Sequence, residues 1–363
     1  MKKIALLVGA RPNYMKIAPL YRVLHQEPGV WRPFLVHSGQ HYDEKMSKVF
    51  FEDLELPKPD VFLGVGSGTH AEQTARVMMQ LAPVLAENRP DVLIVVGDVN
   101  STLAGALVAV KLGIPTAHVE AGLRSRDRAM PEEINRTATD AICDLLFTSC
   151  READENLLKE GHPNERISFV GNIMIDSLAH FLPKSRESDV LARIGLTARQ
   201  YICVTLHRPS NVDEPGKLLG IMQGLEDAGR ETDVVFPVHP RTRKILDEAG
   251  WRKADNTRLH LLDPLGYIDF LRLMSEAAVV LTDSGGIQEE TSYLGIPCLT
   301  ARENTERPIT ITEGTNRLIK AERGEIARAI RETARAEERE APKIEYWDGH
   351  TAERIVDVLR GWL

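Results

Sequence analysis

The stretch that decides the expected fold is Ala277-Ala278-Val279-Val280-Leu281-Thr282-Asp283-Ser284-Gly285-Gly286-Ile287-Gln288-Glu289-Glu290. Its apolar run has the length of a buried strand, and the Ser-Gly-Gly turn after it opens a helix that carries two carboxylates. The backbone N–H groups of such a helix start bind an anion such as a phosphate, and glycines let the anion approach the main chain. Most turns of this kind only cap a helix. Here Glu290 follows closely enough to bond a sugar hydroxyl beside the anion, so the stretch predicts a nucleotide-sugar site in an α/β protein.

The same alternation of strand and helix signals runs along the whole chain. Short apolar runs alternate with amphipathic stretches, which is the pattern of parallel sheets covered by helices. Candidate strands are residues 4–8, 34–37, 92–96, 116–119, 145–148 and 167–170 in the first half, and 201–205, 234–237, 259–261, 279–282 and 298–300 in the second. Two sheets of five or more strands are therefore expected.

The length of 363 residues favours two domains. Periodicity weakens between residues 176 and 196, which include the charged segment 184–189, and the domain junction is predicted near residues 171–176. We therefore expect a Rossmann-like N-terminal domain at 1–174 and a Rossmann-like C-terminal domain at 175–348. Residues 349–363 carry Ile355, Leu359 and Trp362 at helical spacing, which predicts a terminal helix that packs back on the first domain.

Charge and cysteine usage argue against several classes of protein. The 45 Lys and Arg residues are outnumbered by 53 Asp and Glu residues, and a net charge of −8 argues against binding to nucleic acid or an anionic membrane. The four cysteines are scattered without a Cys-x-x-Cys pair, which argues against a metal site and a disulfide framework. The apolar run 4–10 is too short for a signal peptide, and no run reaches membrane-spanning length, so a cytoplasmic protein is expected.

Polar clusters follow the predicted strands at the point where each strand ends. In an open parallel sheet, ligands bind beyond those carboxyl ends. The clusters of the first half, here called the N-terminal rim, are residues 9–13, 38–41, 97–102 and 120–124 with the helix start near 132. Those of the second half, called the C-terminal rim, are residues 207–208, 239–241 and 282–290. We expect the two rims to face each other across a cleft.

The turn after the first predicted strand is not a nucleotide fingerprint. Gly9-Ala10-Arg11-Pro12 lacks the spacing G-x-G-x-x-G, and no G-x-x-x-x-G-K occurs anywhere, so neither NAD nor P-loop ATP chemistry is indicated. Arg11 and Lys16 are then either ordinary surface cations or anion ligands. Both interpretations stay open, because positive charge beside a helix start is unfavourable unless an anion is present.

Three acids are expected on the N-terminal rim. Asp98 follows an apolar strand and one glycine, and it either lies in the cleft or caps the helix that begins near Ser101. Glu120 follows Val119 at another strand end and has no capping role. Together with Glu132 these acids would crowd one rim, and crowding of this kind raises a pKa and creates an acid or base near neutrality.

A helix is predicted to start at Pro131, since proline favours the first helical position. Glu132 and Arg136 share one face of that helix, opposite the apolar residues Ile134, Ala138 and Ile142. A pair of this kind is most often solvated, so a purely structural role stays open.

His207 follows the predicted strand 201–205, with Arg208 beside it. A lone histidine is usually structural. At the carboxyl end of a strand lining a cleft, however, it can serve as an acid, a base or a phosphate partner.

Taken together, the motifs of both halves resemble the non-hydrolysing UDP-N-acetylglucosamine 2-epimerases. The likeness covers nearly the whole chain in order, and several motifs are too long for chance agreement. The motifs are Gly9-Ala10-Arg11-Pro12, Gln40-His41, Gly97-Asp98, His118-Val119-Glu120-Ala121-Gly122-Leu123-Arg124, Pro131-Glu132-Glu133-x-Asn135-Arg136, Thr205-x-His207-Arg208, Pro237-Val238-His239-Pro240-Arg241, 282–290 and Thr305-Glu306-Arg307-Pro308.

The resemblance implies a fold like that of the two-domain GT-B glycosyltransferases, with UDP in the cleft between the domains. Carried over by position, the catalytic group is Asp98, Glu120, Glu132 and His207. The implied substrate-binding residues are Arg11, Lys16, Gln40, His41, Arg136, His239, Arg241, Pro264, Tyr267, Phe270, Ser284, Gly285, Gly286, Glu290, Arg307 and Arg317, of which Pro264, Tyr267 and Phe270 resemble the segment beside the uracil. A homodimer, a UDP-sugar as ligand, and neither a cofactor nor a metal are also implied.

The implied reaction interconverts UDP-N-acetylglucosamine (UDP-GlcNAc) and UDP-N-acetylmannosamine (UDP-ManNAc), supplying ManNAc-type sugars for surface polysaccharide. UDP is eliminated to leave 2-acetamidoglucal and is then added back. Three other functions stay open: a hydrolysing epimerase, an epimerase of a diacetamido-uronate UDP-sugar and, more distantly, a GT-B glycosyltransferase. A sensor without catalysis would not need Asp98, Glu120 and Glu132 together.

One departure from the family pattern follows Thr205-Leu206-His207-Arg208. This chain has Pro209-Ser210-Asn211 where many bacterial members with allosteric activation have Arg-Glu. In those enzymes the region helps to bind a second, activating substrate molecule. We therefore expect near-hyperbolic kinetics with UDP-ManNAc as the only substrate.

Overall fold

A computed structural model describes residues 1–39, 54–335 and 341–363, with only the backbone of Arg11. Contacts between residues divide the chain into two compact units. Unit 1 comprises Met1–His180 and Glu345–Leu363, and unit 2 comprises Phe181–Ile344. The sequence placed these boundaries at 174 and 348.

Unit 1 is built on a seven-stranded parallel sheet with the strand order β3-β2-β1-β4-β5-β6-β7. Its central strands are almost fully buried on both faces, as parallel strands covered by helices require. The strands are β1 (Lys2–Val8), β2 (Trp31–His37), β3 (Val61–Phe62), β4 (Val92–Val96), β5 (Thr116–Ala121), β6 (Leu145–Thr148) and β7 (Ile167–Phe169). The helices of this half are α1 (Arg11–Gln26), α2 (His70–Asn88), α3 (Asn100–Lys111), α4 (Pro131–Ile142), α5 (Arg151–Lys159) and α6 (Ile173–Ser185), with a 3-10 turn at Asn164–Arg166.

Unit 2 is built on a six-stranded parallel sheet with the order β10-β9-β8-β11-β12-β13. Its strands are β8 (Tyr201–Thr205), β9 (Asp233–Pro237), β10 (Leu259–Leu262), β11 (Val279–Thr282), β12 (Cys298–Ala301) and β13 (Asn316–Ile319). Its helices are α7 (Val190–Ile194), α8 (Pro209–Val212), α9 (Pro215–Gly229), α10 (Pro240–Glu248), α11 (Tyr267–Ser275), α12 (Gly285–Leu294), α13 (Ile309–Thr312) and α14 (Arg323–Ala334). The predicted α/β class with two parallel sheets is confirmed.

Each sheet reverses its strand order at one point. In unit 1 the reversal lies between β1 and β4, and in unit 2 it lies between β8 and β11. Crevices open beyond the carboxyl ends of the strands at such points, and ligands of doubly wound proteins bind there. The residues that follow these four strands include Asp98, His207 and the turn at Ser284, so the topology itself directs attention to predicted site residues.

The C-terminal helix, α15 (Thr351–Trp362), packs on α1, as predicted. Ile355 and Leu359 are fully buried, but Trp362 is 38% exposed because it is the last residue of the helix, so the expectation that it is buried is wrong. Asp176 of α6 accepts hydrogen bonds from the backbone N–H groups of Thr351 and Ala352 at 3.1 and 2.7 Å. Burial raises the pKa of Asp176 to about 6, although these bonds oppose the shift.

Within the described part of the chain, no helix combines the length and the apolar character needed to cross a membrane. All four cysteines are free and buried.

Candidate active site

Asn13 joins the ends of the two strands at the reversal point of unit 1. Its side-chain oxygen accepts hydrogen bonds from the backbone N–H groups of Gly9 and Ala10 at 3.3 and 2.9 Å. Its side-chain nitrogen donates to the carbonyl of Val96, at the end of β4, at 3.0 Å. This bridge fixes the first turn of α1. Asn13 was not among the predicted site residues, because it lies three residues after the N-cap, Ala10, and not at the N-cap position where Asn is a recognisable signal.

Lys16 and Glu120 form an ion pair on the N-terminal rim. Both side chains are buried, with 7% and 6% exposure. Gly97 lies against the pair, since a Cβ there would be 2.8 Å from Nζ of Lys16 and 3.5 Å from Oε2 of Glu120. The pair brings together one predicted catalytic residue and one predicted ligand residue, with a glycine leaving room for both.

Arg136 joins two carboxylates in a second ion pair network of the same rim. Its Nη2 and Nε donate to Oδ2 of Asp98 at 2.7 and 3.1 Å, and its Nη1 donates to Oε2 of Glu133 at 2.7 Å. Asp98 is therefore not a helix cap, and the N-cap of α3 is Val99, which makes no side-chain cap bond. Burial opposes ionisation of Glu133. Hydrogen bonds from Ser125 and Arg126, together with the charge of Arg136, nevertheless hold the pKa of Glu133 below its ordinary value.

The helix α4 buries its polar face, which reverses the expectation for the predicted Glu132–Arg136 face. Arg136 is 2% exposed and pairs with Glu133, whereas Ile134 is 47% exposed. Glu132 is half-buried in the first turn, and among the described residues it has no hydrogen-bond or ion-pair partner. Periodicity missed Glu133 because a buried polar face is stable only when partners elsewhere in the chain satisfy it.

Two of the three acids of the N-terminal rim are thus compensated by cations. Asp98 faces Arg136, and Glu120 faces Lys16. A neighbouring cation favours the ionised form of a carboxylate. The arrangement can therefore supply carboxylate bases held in fixed positions.

In unit 2, the turn between β11 and α12 has the predicted form. Ser284 is the N-cap of α12, and the helix starts at Gly285. Gly285 lies close against two charged side chains, because a Cβ there would lie 2.5 Å from Nη1 of Arg307 and 2.7 Å from Oε1 of Glu306. The first N–H groups of α12 are available to an anion in the way that helix starts generally are.

Buried charges surround this helix start. Nε of Arg307 lies 2.8 Å from Oε1 of Glu289, and its Nη1 lies 2.7 Å from Oε1 of Glu306. Arg302 also pairs with Glu306, at 2.8 Å, and Arg208 approaches the same carboxylate at 3.5 Å. Three arginines and two glutamates therefore lie beside the turn, and the arginines can supply positive charge to an anion bound there.

Asp283 holds His207 from behind. The buried carboxylate accepts from the backbone N–H groups of His207 and Arg208 at 3.1 and 3.0 Å, and it lies 3.0 Å from Nδ1 of the His207 ring. Asn211 donates to it at 3.1 Å. Burial opposes ionisation, but the bonds from His207 and its neighbours hold the pKa of Asp283 below its ordinary value. Asp283 fixes the position of His207, whose side chain is 54% exposed, and it was not among the predicted site residues.

Glu290 and Tyr267 form a buried group next to Glu289. Burial and the charge of Glu289 raise the pKa of Glu290 to about 8. Burial and the nearby Glu290 also raise the pKa of Tyr267. The shift favours the protonated form of Glu290, which can donate a hydrogen bond as well as accept one.

The structure places the other predicted ligand residues of unit 2 in different surroundings. His239 is the exposed N-cap of α10, and Arg241 in its first turn pairs with Asp213 at 2.6 Å. Pro264 and Phe270 lie after β10 and on α11, near Tyr267.

Arg317 is not brought to this edge of the sheet. It lies within β13, level with Leu299 of the neighbouring strand, and pairs with Glu332 of α14 at 3.7 Å. That position lies on an edge strand under a covering helix and not beyond a strand end. Its assignment as a ligand residue rested on sequence position alone.

Three predicted residues cannot be placed in the same way. Gln40 and His41 lie outside the described residues, and for Arg11 only the backbone is described. Across residues 1–39, 54–335 and 341–363, no cluster of three or more His, Cys, Asp or Glu side chains could hold a metal ion.

Comparisons with known proteins extend over the whole chain. A family model described as UDP-N-acetylglucosamine 2-epimerase matches residues 24–360. The chain is 40% identical to the UDP-N-acetylglucosamine 2-epimerase of Methanocaldococcus jannaschii over 98% of each chain. It is 38% identical to the UDP-2,3-diacetamido-2,3-dideoxy-D-glucuronate 2-epimerase of Pseudomonas aeruginosa over 98% of this chain and 99% of that one.

A solved structure gives the same relationship in three dimensions. The crystal structure of the Methanocaldococcus jannaschii enzyme in complex with UDP-GlcNAc and UDP matches this fold with a TM-score of 0.91, covering 99% of each chain at 40% identity. The GT-B-like fold expected from the sequence is confirmed. The chain belongs to the UDP-N-acetylglucosamine 2-epimerase family.

Proposed function

We propose that this protein is a non-hydrolysing epimerase that interconverts UDP-GlcNAc and UDP-ManNAc. The observation that carries the proposal is the pair of compensated carboxylates at the first reversal point, Asp98 with Arg136 and Glu120 with Lys16. Proton transfer at a sugar carbon requires such carboxylates held in position. The Methanocaldococcus jannaschii relative is named a UDP-N-acetylglucosamine 2-epimerase, which supports the epimerase part of the proposal.

The proposed reaction follows from the weak acidity of the C2 proton. That proton is not next to a carbonyl, so simple deprotonation is too unfavourable. Breaking the bond between C1 and the UDP oxygen gives C1 cationic character, and the electron pair of that bond leaves with UDP. A base then takes the C2 proton, and the electrons of the C2–H bond form the C1=C2 double bond of 2-acetamidoglucal.

Re-addition completes the epimerisation. A proton is delivered to C2 on the opposite face, and UDP attacks C1 again. The sequence of steps is redox-neutral, so we propose no cofactor. It needs acid and base groups at C2 together with an anion site for the departing diphosphate.

We assign the proton transfers to Asp98 and Glu132 and the positioning of these acids to Glu120. Asp98 is ion-paired and 26% exposed, so it combines a negative charge with access to a ligand. Glu132 is half-buried in the first turn of α4. Glu120 is more deeply buried in its pair with Lys16, which suits a supporting role.

We assign the diphosphate to the start of α12. The N–H groups at Gly285 and Gly286 and the cations Arg307 and Arg208 supply hydrogen bonds and positive charge there. His207, held through Nδ1 by Asp283, would protonate the leaving group. Glu290 would bond a hydroxyl of the ribose beside the diphosphate.

The deciding experiment incubates the protein with UDP-GlcNAc in heavy water and follows the products by NMR. UDP-GlcNAc and UDP-ManNAc, both with deuterium at C2, are the expected products. Free N-acetylmannosamine would instead indicate a hydrolysing enzyme, in which water intercepts the intermediate. No reaction and no exchange would contradict the proposal and favour a transferase.

A second candidate substrate is the diacetamido-uronate UDP-sugar. The Pseudomonas aeruginosa relative of that name is 38% identical, close to the 40% of the UDP-GlcNAc relative. The same heavy-water assay with UDP-2,3-diacetamido-2,3-dideoxy-D-glucuronate would show which sugar exchanges faster. We expect UDP-GlcNAc to be preferred, and a higher kcat/KM for the uronate would reverse the assignment.

In the cell, the proposed product is a source of ManNAc-type sugars for surface polysaccharide, made by a cytoplasmic homodimer. The dimer is expected from the family. Size-exclusion chromatography with light scattering would test it, since a chain of 40.5 kDa should elute with twice that mass.

A further inference from the structure

A buried network behind the N-terminal rim is not used by the proposed chemistry. Its centre is Asp140 of α4, which has no exposed surface. Oδ1 of Asp140 lies 2.6 Å from Nδ1 of His118, while Oδ2 accepts from the backbone N–H of Gly122 at 3.1 Å and pairs with Arg124 at 2.7 Å. His118 and Gly122 flank Glu120. The Asp140 carboxylate therefore bonds to the end of β5 on both sides of Glu120.

Glu120 needs such support because its backbone is strained. Its φ is +74°, in the left-handed region that favours glycine. The pairing of β5 with β6 also shifts register between Val119 and Ala121, which leaves Glu120 as the extra residue. Conformations of this kind persist only where the surrounding structure holds them.

The hydrogen-bond partners of His118 define its charge. Its Nε2 lies 2.8 Å from the carbonyl oxygen of Gly97, which can only accept, so Nε2 donates. Its Nδ1 faces Asp140, which Arg124 keeps in the carboxylate form. Both ring nitrogens therefore face groups that accept hydrogen bonds, which is the arrangement that an imidazolium satisfies.

The charges around His118 are balanced. Burial opposes ionisation of Asp140, but His118 and Arg124 hold its pKa below the ordinary value. Arg124 also pairs with Glu160 at 2.6 Å, which completes two cations and two anions. Cys143, close to Asp140, is a neutral thiol because burial raises its pKa.

The same network reaches Asp98 through the backbone. The carbonyl of Gly97 accepts from His118, and the N–H of Gly97 donates to the carbonyl of Val119 at 3.0 Å. Asp98 is the next residue. The ends of β4 and β5 are thus tied together on either side of the ring.

We propose that Asp140 and a cationic His118 are positioning residues that set the backbone of Asp98 and Glu120 relative to each other. They act through Gly97 and Gly122. The kinetic consequence rests on the proposed function. The charge of His118 does not, so the two are tested separately.

The charge is measured by NMR on the full-length protein labelled with 15N-histidine. Of the 11 histidines, the one whose signals vanish in His118→Gln is assigned to His118. The expected result at neutral pH is an imidazolium pattern at both ring nitrogens, changing to a neutral ring in Asp140→Asn. A neutral ring at His118 in the folded wild type would overturn the proposal.

The positioning role is measured by kinetics. Asp140→Asn should lower kcat by about 100-fold with little change in KM, the size of effect that a small misplacement of reacting groups produces. The matched control is Asp144→Asn, because Asp144 bonds the N–H of Thr116 at the opposite end of the same strand, at 2.9 Å. Its kcat should equal that of the wild type.

The outcomes separate the two ideas. A folded Asp140→Asn with unchanged kcat overturns the positioning role. If that variant does not fold, as judged by circular dichroism, His118→Gln is measured instead. This variant keeps a donor for the carbonyl of Gly97 but carries no charge. A wild-type kcat in His118→Gln would also overturn the positioning role. A wild type that binds UDP-GlcNAc without epimerising it defeats the proposed function, while the NMR result still decides the charge of His118.

Discussion

The two rims hold their functional groups in different ways. On the N-terminal rim two of the predicted catalytic acids are themselves members of ion pairs, Asp98 with Arg136 and Glu120 with Lys16. On the C-terminal rim the exposed His207 and the backbone N–H groups at the start of α12 lie beside buried charged side chains, with Asp283 next to His207 and Arg307 next to Gly285. The difference suggests that unit 1 is built for proton transfer and unit 2 for binding the UDP moiety. Changes in unit 1 should therefore affect turnover and stability, and changes in unit 2 should affect binding.

Asp98→Asn should produce the largest loss of turnover. A smaller loss would contradict the view that unit 1 carries the proton transfer. Loss of a base should lower kcat by about 1,000-fold, within the range general bases contribute, while the affinity for UDP stays unchanged. The measurements are C2 deuterium exchange by NMR and UDP binding by calorimetry. Asp91→Asn is the control, because Asp91 precedes β4 and bonds the N–H of Lys3 at 2.7 Å at the opposite end of the strand. Intact exchange in Asp98→Asn would remove Asp98 from the mechanism.

Lys16→Met should destabilise the protein, since it leaves Glu120 buried without its cation. Breaking one side of a buried pair costs about 3–5 kcal/mol, whereas an exposed pair contributes little. Arg241→Met is the contrast, because Arg241 is 63% exposed in its pair with Asp213. Thermal melting should fall sharply for the first variant and hardly at all for the second. The double variant with Glu120→Gln should regain much of the stability without regaining activity, and equal melting of both single variants would remove the distinction between the rims.

The strands were predictable from sequence because burial on both faces produces continuous apolar runs, as in Val92–Val96 and Val279–Thr282. All eleven predicted strands are present. Two further strands of the described residues were missed, Val61–Phe62 and Asn316–Ile319. Both are short edge strands, and such strands carry polar or exposed residues that break the pattern.

The location of the site was predictable from the sequence, but the ion-pair partners of its residues were not. Parallel topology brings the strand ends together, so Asp98 and His207 could be proposed from position alone. The partner of Arg136 could not, because Asp98 lies 38 residues away in sequence while Glu132 lies nearby on the same helix. Helical periodicity assumes that the apolar face is buried, and α4 buries Glu133 and Arg136 instead.

Glu290→Gln should change how the stability of the protein depends on pH. The pKa of Glu290 is raised from 4.5 to about 8 by burial and by Glu289. Between these values the unfolded chain is ionised while the folded protein keeps the proton, so stability falls as pH rises and then levels off. Gln removes this penalty, so the melting temperature of the variant should be higher than that of the wild type at pH 8 and the same at pH 4. Equal melting at both pH values would mean that Glu290 is ionised at little cost.

The smallest expected effect concerns the segment after His207. Pro209 opens the short helix α8, and the side-chain nitrogen of Asn211 is held inside, donating to Asp283 at 3.1 Å and to the carbonyl of Ala301 at 3.0 Å. The Asn211 side chain therefore supports Asp283 behind His207 and is not presented to a second ligand, while Pro209 and Ser210 are exposed. Initial rates with UDP-ManNAc alone should therefore follow a hyperbola with a Hill coefficient near one, and added UDP-GlcNAc should not stimulate them. An absolute requirement for UDP-GlcNAc would show that the C-terminal rim regulates turnover as well as gripping the nucleotide.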